Sequence, residues 1–168
     1  MTNWASVAGG QFHTAAIKTD GTLWAWGDNF SGQLGQGNTT KYSSPVQVGA
    51  LTNWASVVCG AESTLAVKTD GTLWAWGDNY HGELGQGNTT NYSSPVQVGA
   101  LTNWKSVACG MYTATATKTD GTLWACGYNS FGQLGQGNTT SYSSPVQVGA
   151  LTNWASTACG YQTVAIQK

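Results

Sequence analysis

Arginine is absent from this chain of 168 residues, and charge of either sign is scarce: six lysines stand against seven carboxylates, and only 8% of residues are charged. Six scattered lysines cannot build the basic stripe that tracks a phosphate backbone, so a nucleic-acid partner is not expected. Long apolar runs are also missing. No segment approaches the ~18 residues of a membrane span, and the N-terminus lacks the basic and apolar stretches of a signal peptide. The expectation is therefore no membrane partner and, by default, the cytoplasm. What the chain has instead is nine Trp, seven Tyr and 23 Gly. That supplies ample apolar area for a core, together with many tight turns.

Histidine is nearly absent too. The two copies, His13 and His81, fall at non-equivalent places, so no repeated or paired base exists and catalysis is not expected. The four cysteines show no zinc spacing. Cys59, Cys109 and Cys159 share one repeat position, where the first unit has Gly9, and Cys126 stands alone. Equivalent positions in neighbouring units are expected to lie too far apart for a disulfide, which leaves small buried thiols. Asp28-Asn29-x-x-Gly32 has too few oxygen ligands for calcium, and Gly35-x-Gly37 carries no lysine for phosphate. No cofactor and no metal are expected.

A unit of fifty residues begins at Met1, Leu51 and Leu101 and starts again at Leu151. Units one and two agree at 38 of 50 positions, and units two and three at 36 of 50. The whole chain, 1–168, reads as one repeat domain with units 1–50, 51–100 and 101–150 and a partial unit 151–168. Each unit offers four short strand candidates and no helical stripe. In the first unit these are Ala5–Gly9, Thr14–Lys18, Thr22–Trp26 and Pro45–Val48. Thr19-Asp20-Gly21 is a hairpin signal between the second and third. Four strands per fifty residues is a propeller blade. A β-helix coil is much shorter, and a leucine-rich repeat has one strand per 20–29 residues.

Period-two alternation puts Trp24 and Trp26 on one strand face, with Leu23 and Ala25 on the other. Trp24, Trp26, Trp74, Trp76 and Trp124 are the expected core rings. Replacing Trp74 by Ala should cost about 3–5 kcal/mol. Cys126 takes the place of the second Trp in unit three, so either that blade packs less well or a neighbour such as Tyr128 fills the gap.

The string Trp54-x-x-Val57-x-Cys59-Gly60, then Lys68-x-Asp70-Gly71-x-Leu73-Trp74-x-Trp76-Gly77-x-Asn79, then Gly82-x-Leu84-Gly85-x-Gly87 and Pro95-x-x-Val98 resembles the repeat of the regulator of chromosome condensation family. The resemblance covers the whole chain. It implies a propeller, typically of seven blades. Family members include a guanine-nucleotide exchange factor for a small GTPase, a plant UV-B photoreceptor and a secreted β-lactamase inhibitor, so fold does not give function. The photoreceptor pattern would need Trp and Arg after each Cys-Gly. Here those triplets are Gln11-Phe12-His13, Ala61-Glu62-Ser63, Met111-Tyr112-Thr113 and Tyr161-Gln162-Thr163. The exchange factor's inserted segments have no room here.

Differences between units cluster in three expected loops: the triplets just named, the pair at Phe30-Ser31, Tyr80-His81 and Ser130-Phe131, and the single position Lys41, Asn91, Ser141. Two readings follow. A fixed frame presents varied loops to a protein partner, with Phe12, His13, Phe30, Glu62, Tyr80, His81, Tyr112, Phe131 and Tyr161 as candidate contacts. Alternatively, exposed sites drifted after the unit was duplicated. Glycans are a further ligand class that aromatic and Asn/Asp loops suit.

Three units and a half-unit make fourteen strands, or three and a half blades. Such a stack leaves an apolar flank at each end. The expectation is an all-β propeller closed by a second copy into a ring of six or seven blades, self-assembly being the alternative function. Each half-unit repeats strands one and two, so two of them do not complete each other.

Overall fold

The computed structural model describes residues 3–160 and 162–167. Every regular element among them is a β-strand. Strands β1 (Trp4–Gly9), β2 (His13–Lys18), β3 (Leu23–Gly27) and β4 (Tyr42–Gln47) form one antiparallel sheet in chain order. The same sheet recurs as β5 (Trp54–Cys59), β6 (Ser63–Lys68), β7 (Leu73–Gly77), β8 (Tyr92–Gln97), and as β9 (Trp104–Cys109), β10 (Thr113–Lys118), β11 (Leu123–Gly127), β12 (Tyr142–Gln147). A two-stranded sheet, β13 (Trp154–Cys159) with β14 (Thr163–Gln167), follows. The first strands β1, β5, β9 and β13 pack on one another, and each second strand packs on the first strand of the next sheet. This is the radial order of propeller blades, with first strands innermost and fourth strands at the rim.

The expected strands are present with shifted bounds. The fourth starts at Tyr42, so Pro45 lies inside it and not at its entry. A rim strand tolerates this, because its outward N–H has no ladder partner to lose. The second strand starts at His13, which removes that residue from the loop where it was expected.

The Asp-Gly turn joins each blade to the next. Gly21 has φ 78°, and a Cβ there would lie 2.1 Å from the Thr52 carbonyl oxygen. Asp20 Oδ1 accepts from the Thr22 amide at 3.0 Å and its hydroxyl at 2.6 Å, and Thr22 Oγ1 accepts from the Trp24 indole at 2.9 Å. The Trp54 amide then donates to the Gly21 carbonyl at 3.2 Å, which sets where the second blade begins.

The core lies between blades, not inside them. Leu34, Val48 and Ala25 of the first blade meet Trp54, Ala66 and Trp76 of the second. Leu84, Val98 and Leu73 likewise meet Trp104, Ala114 and Cys126. Trp76 is fully buried, but Trp24, Trp26, Trp74 and Trp124 are only half-buried. The expected cost for Trp74 is accordingly too high. Its ring is held between Trp54, at 6.1 Å between centroids, and the Lys68 ammonium, 3.6 Å from its centroid. The first-strand rings Trp54 and Trp104, each 4% exposed, are the stronger core members. Tyr128 does not fill the gap beside Cys126: only about 10 Å³ of space remains there, and Tyr128 turns to the loop face.

Candidate functional site

Two loops of each unit meet at one end of the blades. The Asp28 amide donates to the Phe12 carbonyl, Asp78 to Glu62 and Tyr128 to Tyr112, each at 2.9 Å. This brings the varied triplet beside the start of the long loop between strands three and four. The long loop is braced by its own hydrogen bonds. Asn29, fully buried, donates through Nδ2 to the Asn38 and Thr40 carbonyls, and its Oδ1 accepts from the Leu34 amide. Asn79 and Asn129 repeat the arrangement.

The varied positions then pair across the joints. Ser31 Oγ donates to Glu62 Oε2 at 2.7 Å over the first joint. Over the second joint the same positions hold His81 and Tyr112, with ring centroids 4.7 Å apart. Tyr80 lies against His81 at 5.0 Å, Tyr128 against His81 at 4.8 Å, and Phe131 against Tyr128 at 6.0 Å. Five rings from blades two and three thus form one patch. Tyr80 and Phe131 are 76% and 84% exposed at its edges.

The other candidates fall apart from this patch. Phe12 and Phe30 are exposed on the first blade, and the Lys41 ammonium lies 4.2 Å from the Phe30 centroid. Glu62 is half-buried on Ser31. Tyr161 lies outside the described residues. His13 is a correction: it is 3% exposed, and its Nε2 hydrogen-bonds Thr64 Oγ1 at 2.9 Å. Burial holds its imidazole down to about 4, so it is neutral and inward, not a surface contact. The position of Lys41, Asn91 and Ser141 is structural as well. Asn91 Oδ1 and Ser141 Oγ accept the Asn79 and Asn129 amides, while Lys41 pairs with Asp28 at 2.6 Å.

The four thiols are free, and burial raises all of them: Cys59 and Cys126 go up to about 12, and Cys109 and Cys159 also rise. They are poor nucleophiles. No group of three or more His, Cys, Asp or Glu side chains converges among the described residues. Among the described residues no helix is long and apolar enough to cross a membrane.

One residue of note escaped the sequence reading. Glu83, 1% exposed, takes the place of Gln33 and Gln133. Its Oε2 accepts the His81 amide at 2.8 Å, and its Oε1 is buried without a partner. The single Gln-to-Glu difference was its only signal.

The repeat named regulator of chromosome condensation matches residues 20–67, 70–116 and 120–166, and a second form of it matches 4–33, 54–83 and 104–133. The chain belongs to the regulator of chromosome condensation repeat family. The first set of matches runs from the outer strands of one blade to the inner strands of the next, so the family repeat spans the joint. Among characterised members, the ultraviolet-B receptor UVR8 of Arabidopsis thaliana is 48% identical over 44 residues, 26% of this chain and 10% of the receptor. Protein RCC2 of Mus musculus is 46% identical over 39 residues, 23% of this chain and 8% of that protein.

Two structures of the yeast family member Prp20 share the fold. One, from Saccharomyces cerevisiae, was described together with its binding to Gsp1p and histones. It has a TM-score of 0.86 and 21% identity over 99% of this chain and 44% of its own. The other, bound to Kap60, has a TM-score of 0.84 and 21% identity over 99% and 42%. The chain therefore spans less than half the length of these relatives. At this identity they establish the propeller fold alone.

Proposed function

We propose that this chain is a non-catalytic scaffold that binds a protein partner through the loop face. The observation that carries this is the patch of Tyr80, His81, Tyr112, Tyr128 and Phe131, built at one joint by positions that vary while the frame does not. Large rings on a rigid frame lose little entropy on binding and are the usual anchors of interfaces. The matched pairs Ser31–Glu62 and His81–Tyr112 support the same reading, since both sides of each joint changed together. Raised thiols and a neutral buried His13 support the absence of catalysis.

A displayed peptide library selected on the immobilised chain tests this reading. Binders should lose capture by the triple variant Tyr80→Ser, Tyr112→Ser, Phe131→Ser, whose melting curve stays that of the parent. Binders that ignore these changes would place the interface elsewhere.

A second reading is self-association into a larger propeller. It is favoured by unpartnered apolar surface on the outer faces of the first blade and of the last sheet. Val7 is 70% exposed, against 8% for the equivalent Val57 and Val107, and Val164 and Ile166 are 64% and 62% exposed.

A further inference from the structure

Each complete joint is made in the same way. The long loop of one blade receives the outer strands of the next. At the first joint the Trp76 indole donates to the Gln33 carbonyl at 3.0 Å, and the Gly37 amide donates to the Ser93 carbonyl at 2.7 Å. At the second, the Gly87 amide donates to the Ser143 carbonyl at 2.7 Å, and Cys126 replaces the indole. The glycines are needed because the strand backbone comes so close. A Cβ on Gly32 or Gly82 would lie 2.5 Å from the Cα of Ser93 or Ser143.

The third blade presents this receiver without its insert. A Cβ on Gly137 would meet nothing within 4 Å, and no strand from another sheet reaches the Gln133 carbonyl or the Gly137 amide among the described residues. A groove of about 770 Å³ opens there, lined by Leu134, Gly135, Val148 and Trp154. The equivalent residues of the second joint, Leu84, Gly85, Val98 and Trp104, enclose about 10 Å³, because Cys126 and Pro145 fill the rest.

The first blade presents the matching insert without a receiver. Trp26 is half-buried where Trp76 is fully buried, Ser43 is exposed where Ser93 is half-buried, and Val7 is open to solvent. The chain thus carries both halves of its own joint, one on each outer flank.

The sheet β13–β14 now occupies the inner part of that third position. Its loop is one residue shorter than the others: the Gly160 amide donates to the Gln162 carbonyl, where Gly60 and Gly110 reach Ser63 and Thr113. The strands therefore keep the common pairing, Thr157 with Ala165 as Val57 with Ala66 and Val107 with Ala116. Ile166 then stands where Ile17 and Val67 are buried at 3% and 4%, yet it is 62% exposed. Unlike the other inner hairpins, β13–β14 has no outer strands beside it and no following sheet over it among the described residues.

We propose that the first blade of a second copy seats on the third blade, its Trp26 indole on the Gln133 carbonyl and its Ser43 carbonyl on the Gly137 amide, and that β13–β14 is a placeholder it displaces. This rests on the self-association reading above and names its surfaces. The occupant is a second copy because the groove repeats, residue for residue, the groove this chain fills with its own strands. Contacts of this head-to-tail kind use two different surfaces of one molecule, so they close a ring or extend a filament.

The test is a disulfide between copies of the full-length double variant Ser44→Cys, Gly137→Cys. At the second joint the equivalent Ser94-type hydroxyl, that of Ser144, lies 3.4 Å from a Cβ on Gly87, so the pair is within bonding reach. With isotope-labelled and unlabelled chains mixed and oxidised, peptides joining residue 44 of one copy to residue 137 of the other are expected. Trp26→Ala should weaken association about tenfold or more, and removal of residues 151–168 should strengthen it. A native mass above one chain without the 44–137 link overturns this joint and leaves self-association standing. A single-chain mass in both the full and shortened forms ends self-association itself. Association lost on removing 151–168 overturns the placeholder.

Discussion

Glu83 and His13 are buried ionisable groups whose effects on stability oppose each other. Burial pushes the Glu83 carboxyl up from 4.5 to about 7, and Asp78 adds in the same direction. Between these values the folded chain keeps a proton that the unfolded chain has released, so stability falls as pH rises through that window. Burial pulls His13 down from 6.5 to about 4, with Asp28 partly offsetting it. There the unfolded chain holds the extra proton, and stability falls as pH drops from 6.5 towards 4. In the parent the two slopes nearly cancel across the shared range. Glu83→Gln removes one of them and supplies an amide donor of the kind Gln33 uses toward Asp28 at 3.1 Å. Its unfolding free energy should match the parent near pH 4 and exceed it by about 3 kcal/mol at pH 8. Urea titrations at the two pH values measure this, and equal stability at pH 8 would refute it.

Among the strands, alternation and the Asp-Gly turn made the elements readable from residues alone. Thr22 to Trp26 could only be a strand entered from a tight turn, and Leu23 and Ala25 are both buried as the pattern requires. Burial of the tryptophans was not readable in the same way. Trp26, Trp76 and Cys126 hold one position in nearly identical units, yet their surroundings differ, because each faces the blade before it and the first blade has none. Trp76→Ala should cost about 3–5 kcal/mol. Trp26→Ala should cost less than half as much in the dissociated chain, and the two denaturation midpoints compare them directly.

At the scale of the whole molecule, scarce charge sets the character of any contact between copies. The two unpartnered flanks offer Val7, Trp26 and Val148, with one ion pair, Lys41–Asp28, resolved among the described residues and lying on the loop face. Association should therefore be driven by apolar burial. Its constant should move less than about threefold between low salt and 0.5 M salt, as sedimentation at the two ionic strengths would show. A steep loss with salt would point to a charged interface instead.

The amino-acid order alone determined the repeat, the four strands of each unit, the turns between them and the family, because these depend on residues close together in the chain. It also marked which loop positions vary. Only the tertiary structure decided that position 31 of one unit meets position 12 of the next, that His13 turns inward, and that Glu83 is buried beside Asp78. The first two are made at joints between blades, where residues about 30 to 50 positions apart come into contact, and a repeated sequence does not distinguish one joint from another.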